Sequence, residues 1–205
     1  MTFRSTLLAA AALIGMTAAA SAAPITAGSS IDLNGYLQAN GGATLASATS
    51  LDFVTGSGGP ASVGTAGTLS SYSSGTGAFA GATCNGGSCG SIKDIASFRT
   101  GAQTITNFLT LSGGSNASAI NFTLSNISDI GRSNANFLTF TATGTITYDG
   151  FDPTAGTFFF SAQGDRITSF SGTTLAVATP TPEPASLAIL GGSLAVLGLV
   201  RRRKA

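Results

Sequence analysis

From Asn136 to Thr147 the chain reads NFLTFTATGTIT, with Leu, Phe, Ala and Ile at one parity and Thr at the other. A period of two places the apolar side chains on one face of an extended strand and the hydroxyls on the opposite face, a pattern no helix can use. Ile120-Asn121-Phe122-Thr123-Leu124 repeats it. Ile105 to Leu111 (ITNFLTL) is a further β-rich run, although Phe108-Leu109 interrupts its alternation. Turn-forming clusters separate these runs: Gly113-Gly114-Ser115-Asn116, Ser133-Asn134, Asp149-Gly150 and Asp152-Pro153. The stretch TITYDGFDPTAGTFFFSAQG, Thr145 to Gly164, reads as two strands joined by a Gly/Asp/Pro loop. No stretch outside the two chain ends offers a convincing amphipathic helix. The expected fold is all-β, an antiparallel β-sandwich-like body.

Composition decides whether that body folds, because a chain rich in Gly, Ser, Thr, Ala and Asn is also what a disordered stalk looks like. Twelve of the thirteen Phe lie beyond residue 22, and ten of them fall between Phe98 and Phe170. Disordered stalks lack the aromatic and β-branched side chains needed to offset chain entropy. The second half is therefore expected to pack a core. The first half carries a weaker signal, with eleven glycines among the 35 residues from Gly56 to Gly90. Long loops and edge strands are expected there. No repeat of fixed period stands out.

Both ends differ from this body. Arg4, the apolar stretch Leu7 to Met16 and the small-x-small pattern Ala20-Ser21-Ala22 form a secretory signal over residues 1–22. Cleavage is expected between Ala22 and Ala23, so residues 23–180 are an exported domain in a compartment that permits disulfides. At the other end, residues 181–205 contain Pro182-Glu183-Pro184, an uncharged run over 185–200 and the cluster Arg201-Arg202-Arg203-Lys204. Those sixteen residues make about 24 Å of helix, short of a ~30 Å hydrocarbon core. Terminal position and the adjoining cations, which can snorkel and which obey the positive-inside rule for an exported body, favour a single transmembrane helix.

Taken together, Pro-Glu-Pro, a short apolar span and a terminal Arg/Lys cluster behind an N-terminal signal resemble the PEP-CTERM sorting signal of Gram-negative bacteria. The match covers about 25 residues. The resemblance implies recognition and cleavage by exosortase, a membrane transpeptidase, after signal peptidase has acted. It also implies association with exopolysaccharide and biofilm. The precursor would be held in the inner membrane with its body in the periplasm, and the mature form would reach the cell surface or extracellular matrix. The chemistry belongs to the processing enzyme. Two prolines fix φ and remove donors, so TPTPEP (181–184 with the two residues before it) should be extended and accessible. More loosely, IKDIASF (Ile92 to Phe98), FLTLSGG (Phe108 to Gly114) and GFDPTAGTFFFSAQG resemble the bodies of small proteins of this kind.

Little in the body points to catalysis. There is no histidine, which removes Ser-His-Asp and Cys-His chemistry and the usual metal centres. Cys84 and Cys89, in CNGGSC, are expected to form a local disulfide, with little core around the ring. Zinc would need about four ligands and a redox pair a C-x-x-C spacing. Asp149, Asp152 and Asp165 are the candidate carboxylates for glycoside hydrolysis or a loose calcium site, but Asp beside Gly or Pro is first a turn former. No catalytic residue, metal or cofactor is assigned. Asn116, Asn121 and Asn126 each open an N-x-[ST] triplet, the last two on an expected strand where Asn belongs to the polar face. Between the basic ends lie four bases and eight acids, a net charge of −4 that argues against nucleic acid. Two functional classes remain: a non-enzymatic surface or matrix protein, and a carbohydrate-binding module on the same anchor. The second usually needs aromatic platforms, and the chain has no Trp and only Tyr36, Tyr72 and Tyr148.

Overall fold

A computed structural model describes residues 22–40, 44–56, 66–73, 75–86, 88–115, 118–165 and 167–177. Most of the signal segment, the Pro182-Glu183-Pro184 motif, the 185–200 span and Arg201 to Lys204 lie outside the described residues. Among the described residues thirteen strands follow one another: β1 (Ala23–Pro24), β2 (Ser30–Asn40), β3 (Ser50–Val54), β4 (Gly67–Thr68), β5 (Ser71–Ser73), β6 (Cys84–Asn85), β7 (Gly90–Ile92), β8 (Gly101–Leu111), β9 (Ile120–Gly131), β10 (Phe137–Thr147), β11 (Phe151–Asp152), β12 (Thr154–Gln163) and β13 (Ile167–Ala176). Two 3-10 turns, Leu45–Ser47 and Gly77–Phe79, are the only helical pieces among the described residues. None of these is long and apolar enough to cross a membrane.

The body is all-β and its sheet antiparallel, as the alternation requires. In place of two separate packed sheets, eleven strands run in one sheet of order β4-β7-β8-β9-β10-β12-β13-β2-β5-β6, with β3 also on β2. β1 and β11 form a small parallel pair of their own. The sheet curls like an incomplete barrel until its two ends share hydrogen bonds. Leu51 of β3 and Ile95 exchange N–H···O bonds of 3.0 and 2.9 Å. The stretch 67–73 stitches the same gap: Leu69 N–H donates to Gly90 O at 3.1 Å, and Ser70 N–H donates to Asn34 O at 3.0 Å. Pairing the edges in this way leaves fewer open backbone groups.

Inside the curl, phenylalanines fill the space. Phe53 meets Phe108, Phe160 and Phe170 edge-on at centroid distances of 5.9, 6.0 and 5.3 Å. Phe140 stacks on Phe160 at 4.5 Å and Phe158 meets Phe108 at 5.7 Å. These geometries suit the ring quadrupole and add to the burial each ring supplies. Rings this large need small neighbours on a concave face. A Cβ on Gly35 would stand 2.8 Å from Phe170 Cε1, and one on Gly172 2.6 Å from Phe158 Cε2. Glycine lets the backbone approach the rings there.

The broken alternation at Phe108-Leu109 has a structural cause. Asn107 adopts a left-handed φ of +48° and its N–H donates to Thr123 Oγ1 at 3.1 Å. The ladder between β8 and β9 shifts register between Ile105 and Leu109. Four steps along β8, from Ile105 to Leu109, span two along β9, from Leu124 to Phe122, and in this irregular stretch Phe108 and Leu109 are both buried although they are neighbours.

Candidate functional site

The outward parity of the strands forms a polar face whose rows follow from register. One row runs Thr141, Phe159, Thr173, Asp32, Ser73 across β10, β12, β13, β2 and β5. The next runs Thr139, Ser161, Ser171, Asn34, Ser71, Asn85 and reaches β6. Strands about 4.8 Å apart and rows about 7 Å apart make this a regular grid of hydroxyl and amide groups. Within it, Thr173 Oγ1 donates to Asp32 Oδ1 at 2.6 Å and Asn34 Nδ2 donates to Ser71 Oγ at 2.7 Å. Asp32 carries the single charge in the two rows. Shallow depressions of about 290 and 510 Å³ lie over Asp32, Asn34, Ser73 and Thr173, and over Ser71, Ser73, Thr83 and Asn85.

One apolar side chain stands in this grid. Phe159 is 45% exposed, between two buried phenylalanines on β12. The FFF run at 158–160 turns its outer two rings inward and its middle ring outward. Sequence reading sought platforms among the tyrosines and missed this one, although strict period-two counting through the triplet would have found it. Two of the three tyrosines are spent elsewhere: Tyr72 is buried and donates its OH to Gly113 O at 2.6 Å, and Tyr148 stacks on Phe151 at 5.6 Å, while Tyr36 stands half-buried on the outward face of β2.

The sequence-assigned residues fall as follows. Ala22 and Ala23 are exposed, with Ala23 opposite Phe151 in the small parallel pair; Ala20 lies outside the described residues. Cys84 and Cys89 are joined, with Cα atoms 5.6 Å apart. The expectation of little core around this ring is corrected: Cys89 is fully buried and both sulfurs belong to the hydrophobic core. Cys84 pairs with Tyr72 across β6 and β5, so the ring is packed from within.

Asp149 sits in the β10–β11 turn and accepts from Ser118 Oγ at 3.2 Å. Asp152 pairs with Pro24 in the β1–β11 ladder. Asp165 follows β12, whose ten residues at about 3.3 Å each place it about 33 Å along the strand from the other two. The three carboxylates thus do not converge. Among the described residues, no three of His, Cys, Asp and Glu stand together as metal ligands. Asn121 accepts from Thr110 Oγ1 at 2.9 Å, in keeping with a polar strand face.

Two of the body's cations do structural work. Lys93 Nζ donates to Thr106 O at 2.7 Å. Arg132 donates to Ala46 O and, at 3.0 Å, to Ala48 O, with its guanidinium 5.2 Å from the Phe98 centroid.

One carboxylate departs from surface behaviour. Asp52 lies on the outward parity of β3 yet is only 2% exposed. Its Oδ2 accepts from Asn40 Nδ2 at 3.2 Å, while its Oδ1 is buried without a hydrogen-bond partner. Burial, and then the neighbouring Asp94, hold its carboxyl above the usual carboxylate range. In SLDFV this Asp occupies the polar phase, so alternation alone reads it as solvent-facing.

Searches of family models, curated proteins and solved structures return no match to this chain.

Proposed function

We propose that this chain is a non-enzymatic, exported surface or extracellular-matrix protein, sorted through a PEP-CTERM signal and cleaved there by exosortase. In this reading the ends form a signal-peptide helix and a single transmembrane helix. The two halves of the curled sheet act as the layers of a sandwich, with Phe53 on β3 packing across to Phe108 on β8. The sorting half rests on the order of Pro182-Glu183-Pro184, the uncharged 185–200 run and Arg201 to Lys204 behind an N-terminal signal. Signal peptidase and exosortase are its processing partners, and the inner membrane is a transient station. Glu183→Ala is expected to leave precursor accumulating in that membrane.

For the body, the observation that carries the reading is the grid of Ser, Thr and Asn across β10, β12, β13, β2 and β5. Neutral hydroxyls and amides exchange hydrogen bonds with water at almost no net gain, so each contact with a polysaccharide is weak. Many such contacts in register add up through multivalency, which suits a matrix component held among exopolysaccharide chains.

Phe159 favours a second reading, a carbohydrate-binding module. An exposed ring between Thr141 and Thr173, two strands from Asp32, offers a sugar an apolar face and polar groups at its edge. A glycan array separates the two. The matrix reading expects shallow, non-saturating retention on many neutral glycans, unchanged in Phe159→Ser. Saturable binding to one glycan, lost in Phe159→Ser, selects the module. Turnover of any glycoside, ester or peptide substrate that Asp149→Ala or Asp152→Ala abolishes defeats both.

A further inference from the structure

Asparagine followed by glycine is the pair most prone to modify itself, because without a Cβ in the way the next backbone nitrogen can reach the side-chain carbonyl carbon. The chain holds three such pairs, Asn34-Gly35, Asn40-Gly41 and Asn85-Gly86. The fold treats them differently. Asn34 lies inside β2 with β13 on one side and β5 on the other, and its Nδ2 donates to Ser71 Oγ at 2.7 Å. Gly35 is pressed against the Phe170 ring, which leaves no room for a new ring to close. Asn40 Nδ2 is held by buried Asp52 at 3.2 Å. Asn85, by contrast, is exposed on the two-residue β6, which among the described strands pairs only with β5. Gly86 follows in a bend at φ +71°, and apart from its neighbours in the chain no described atom lies within 4 Å of where its Cβ would be. Asn85 also lines the shallow depression of about 510 Å³, so water reaches it.

We propose that Asn85-Gly86 is a self-modifying site, at which the folded chain converts its own asparagine into aspartate and isoaspartate with water as the only co-reactant. The Gly86 nitrogen gives up its proton and attacks Asn85 Cγ. A C–N bond forms, a five-membered succinimide closes, and the side-chain nitrogen takes up the proton and leaves as ammonia. Water then adds to one of the two imide carbonyls and breaks its C–N bond. Attack at the side-chain carbonyl gives aspartate, and attack at the backbone carbonyl gives isoaspartate. Either product puts a negative charge at the end of the row that runs from Thr139 to Asn85, where Asp32 is the single charge in that row and its neighbour. Isoaspartate also lengthens the backbone by one carbon inside the Cys84–Cys89 ring, where β6 has only two residues to hold its register on β5. The inference rests on the local geometry of β6 and stands apart from the proposed function.

The test incubates the full chain in mildly alkaline buffer made with water enriched in heavy oxygen, then maps its peptides by mass spectrometry. In the folded protein Asn85 should deamidate at least about tenfold faster than Asn34 or Asn40, which react only when their ladders open. Its peptide should carry one labelled oxygen and separate into aspartate and isoaspartate forms. In urea the three sites should react at similar rates. Asn85→Gln should abolish the reaction at this position and keep the fold, because the longer side chain would have to close a six-membered ring. Absence of labelled oxygen at Asn85 in the folded chain would overturn the proposal, whether or not the unfolded chain reacts there. Equal rates at Asn34, Asn40 and Asn85 in the folded protein would overturn it as well, because the reaction would then follow from the dipeptide and owe nothing to β6.

Discussion

The long strands β8 to β13 and the stretch from Gly67 to Ile92 belong to one core but are held in place differently. β8, β9, β10, β12 and β13 run ten to twelve residues each, each buries at least one phenylalanine, and β10, β12 and β13 bury a residue at nearly every second position. The 67–92 stretch has strands of two or three residues, too short to hold register by themselves. It is pinned instead by Tyr72 and Phe79 inserted into the core, by the Tyr72–Gly113 hydrogen bond and by the Cys84–Cys89 ring. A glycine-rich segment can thus close a sheet if a few anchors replace ladder length.

Phe53 tests that division most severely, since it comes from the first half yet sits among the rings of the second. Phe53→Ala should cost about 3–5 kcal/mol, read as a lower midpoint in denaturant, because it opens a cavity beside Phe108, Phe160 and Phe170. A loss under about 1 kcal/mol would mean the rings do not share one core. Next, replacing both cysteines by serine should cost about 2 kcal/mol. Hydrogen exchange should quicken at the amides of Leu69 and Cys89, which bond to Gly90 O and Leu69 O, and change little in β10 and β12. Equal acceleration in both regions would erase the distinction.

The smallest effect lies at Asp52 on β3. With Asp52's carboxyl held above its ordinary 3.8, the folded state binds the proton more tightly than the unfolded chain does. The group therefore favours folding at acid pH, and that contribution is lost as pH rises through the ordinary value to the raised one. Asp52→Asn should match wild type in acid and be the more stable protein at neutral pH, as Tm against pH will report. A variant that is less stable than wild type at neutral pH would show that Asp52's charge is compensated within the chain.

Much of the long-strand half was legible, because a half-buried strand writes its burial into every second residue. Even the break at Phe108-Leu109 marked the bulge at Asn107. Period two separates inside from outside but is silent on whether the strands form two sheets or one curled one. The edge closure was hidden too, since strands of two or three residues carry no period and glycines at 67 and 90 carry no side-chain signal. The burial of Asp52 left no mark in the sequence, because in SLDFV it occupies the polar phase of the strand. The absence of His and the spacing of the cysteines, by contrast, needed no tertiary information.

Export followed by removal of both ends is the claim on which the biological reading turns, and intact-mass spectrometry of the protein recovered from the cell surface and matrix tests it directly. The account predicts a species that begins at Ala23 and ends near Pro182-Glu183-Pro184, lighter by the signal segment and the 185–200 span. A surface-localised chain that still carries Arg201 to Lys204 would contradict it.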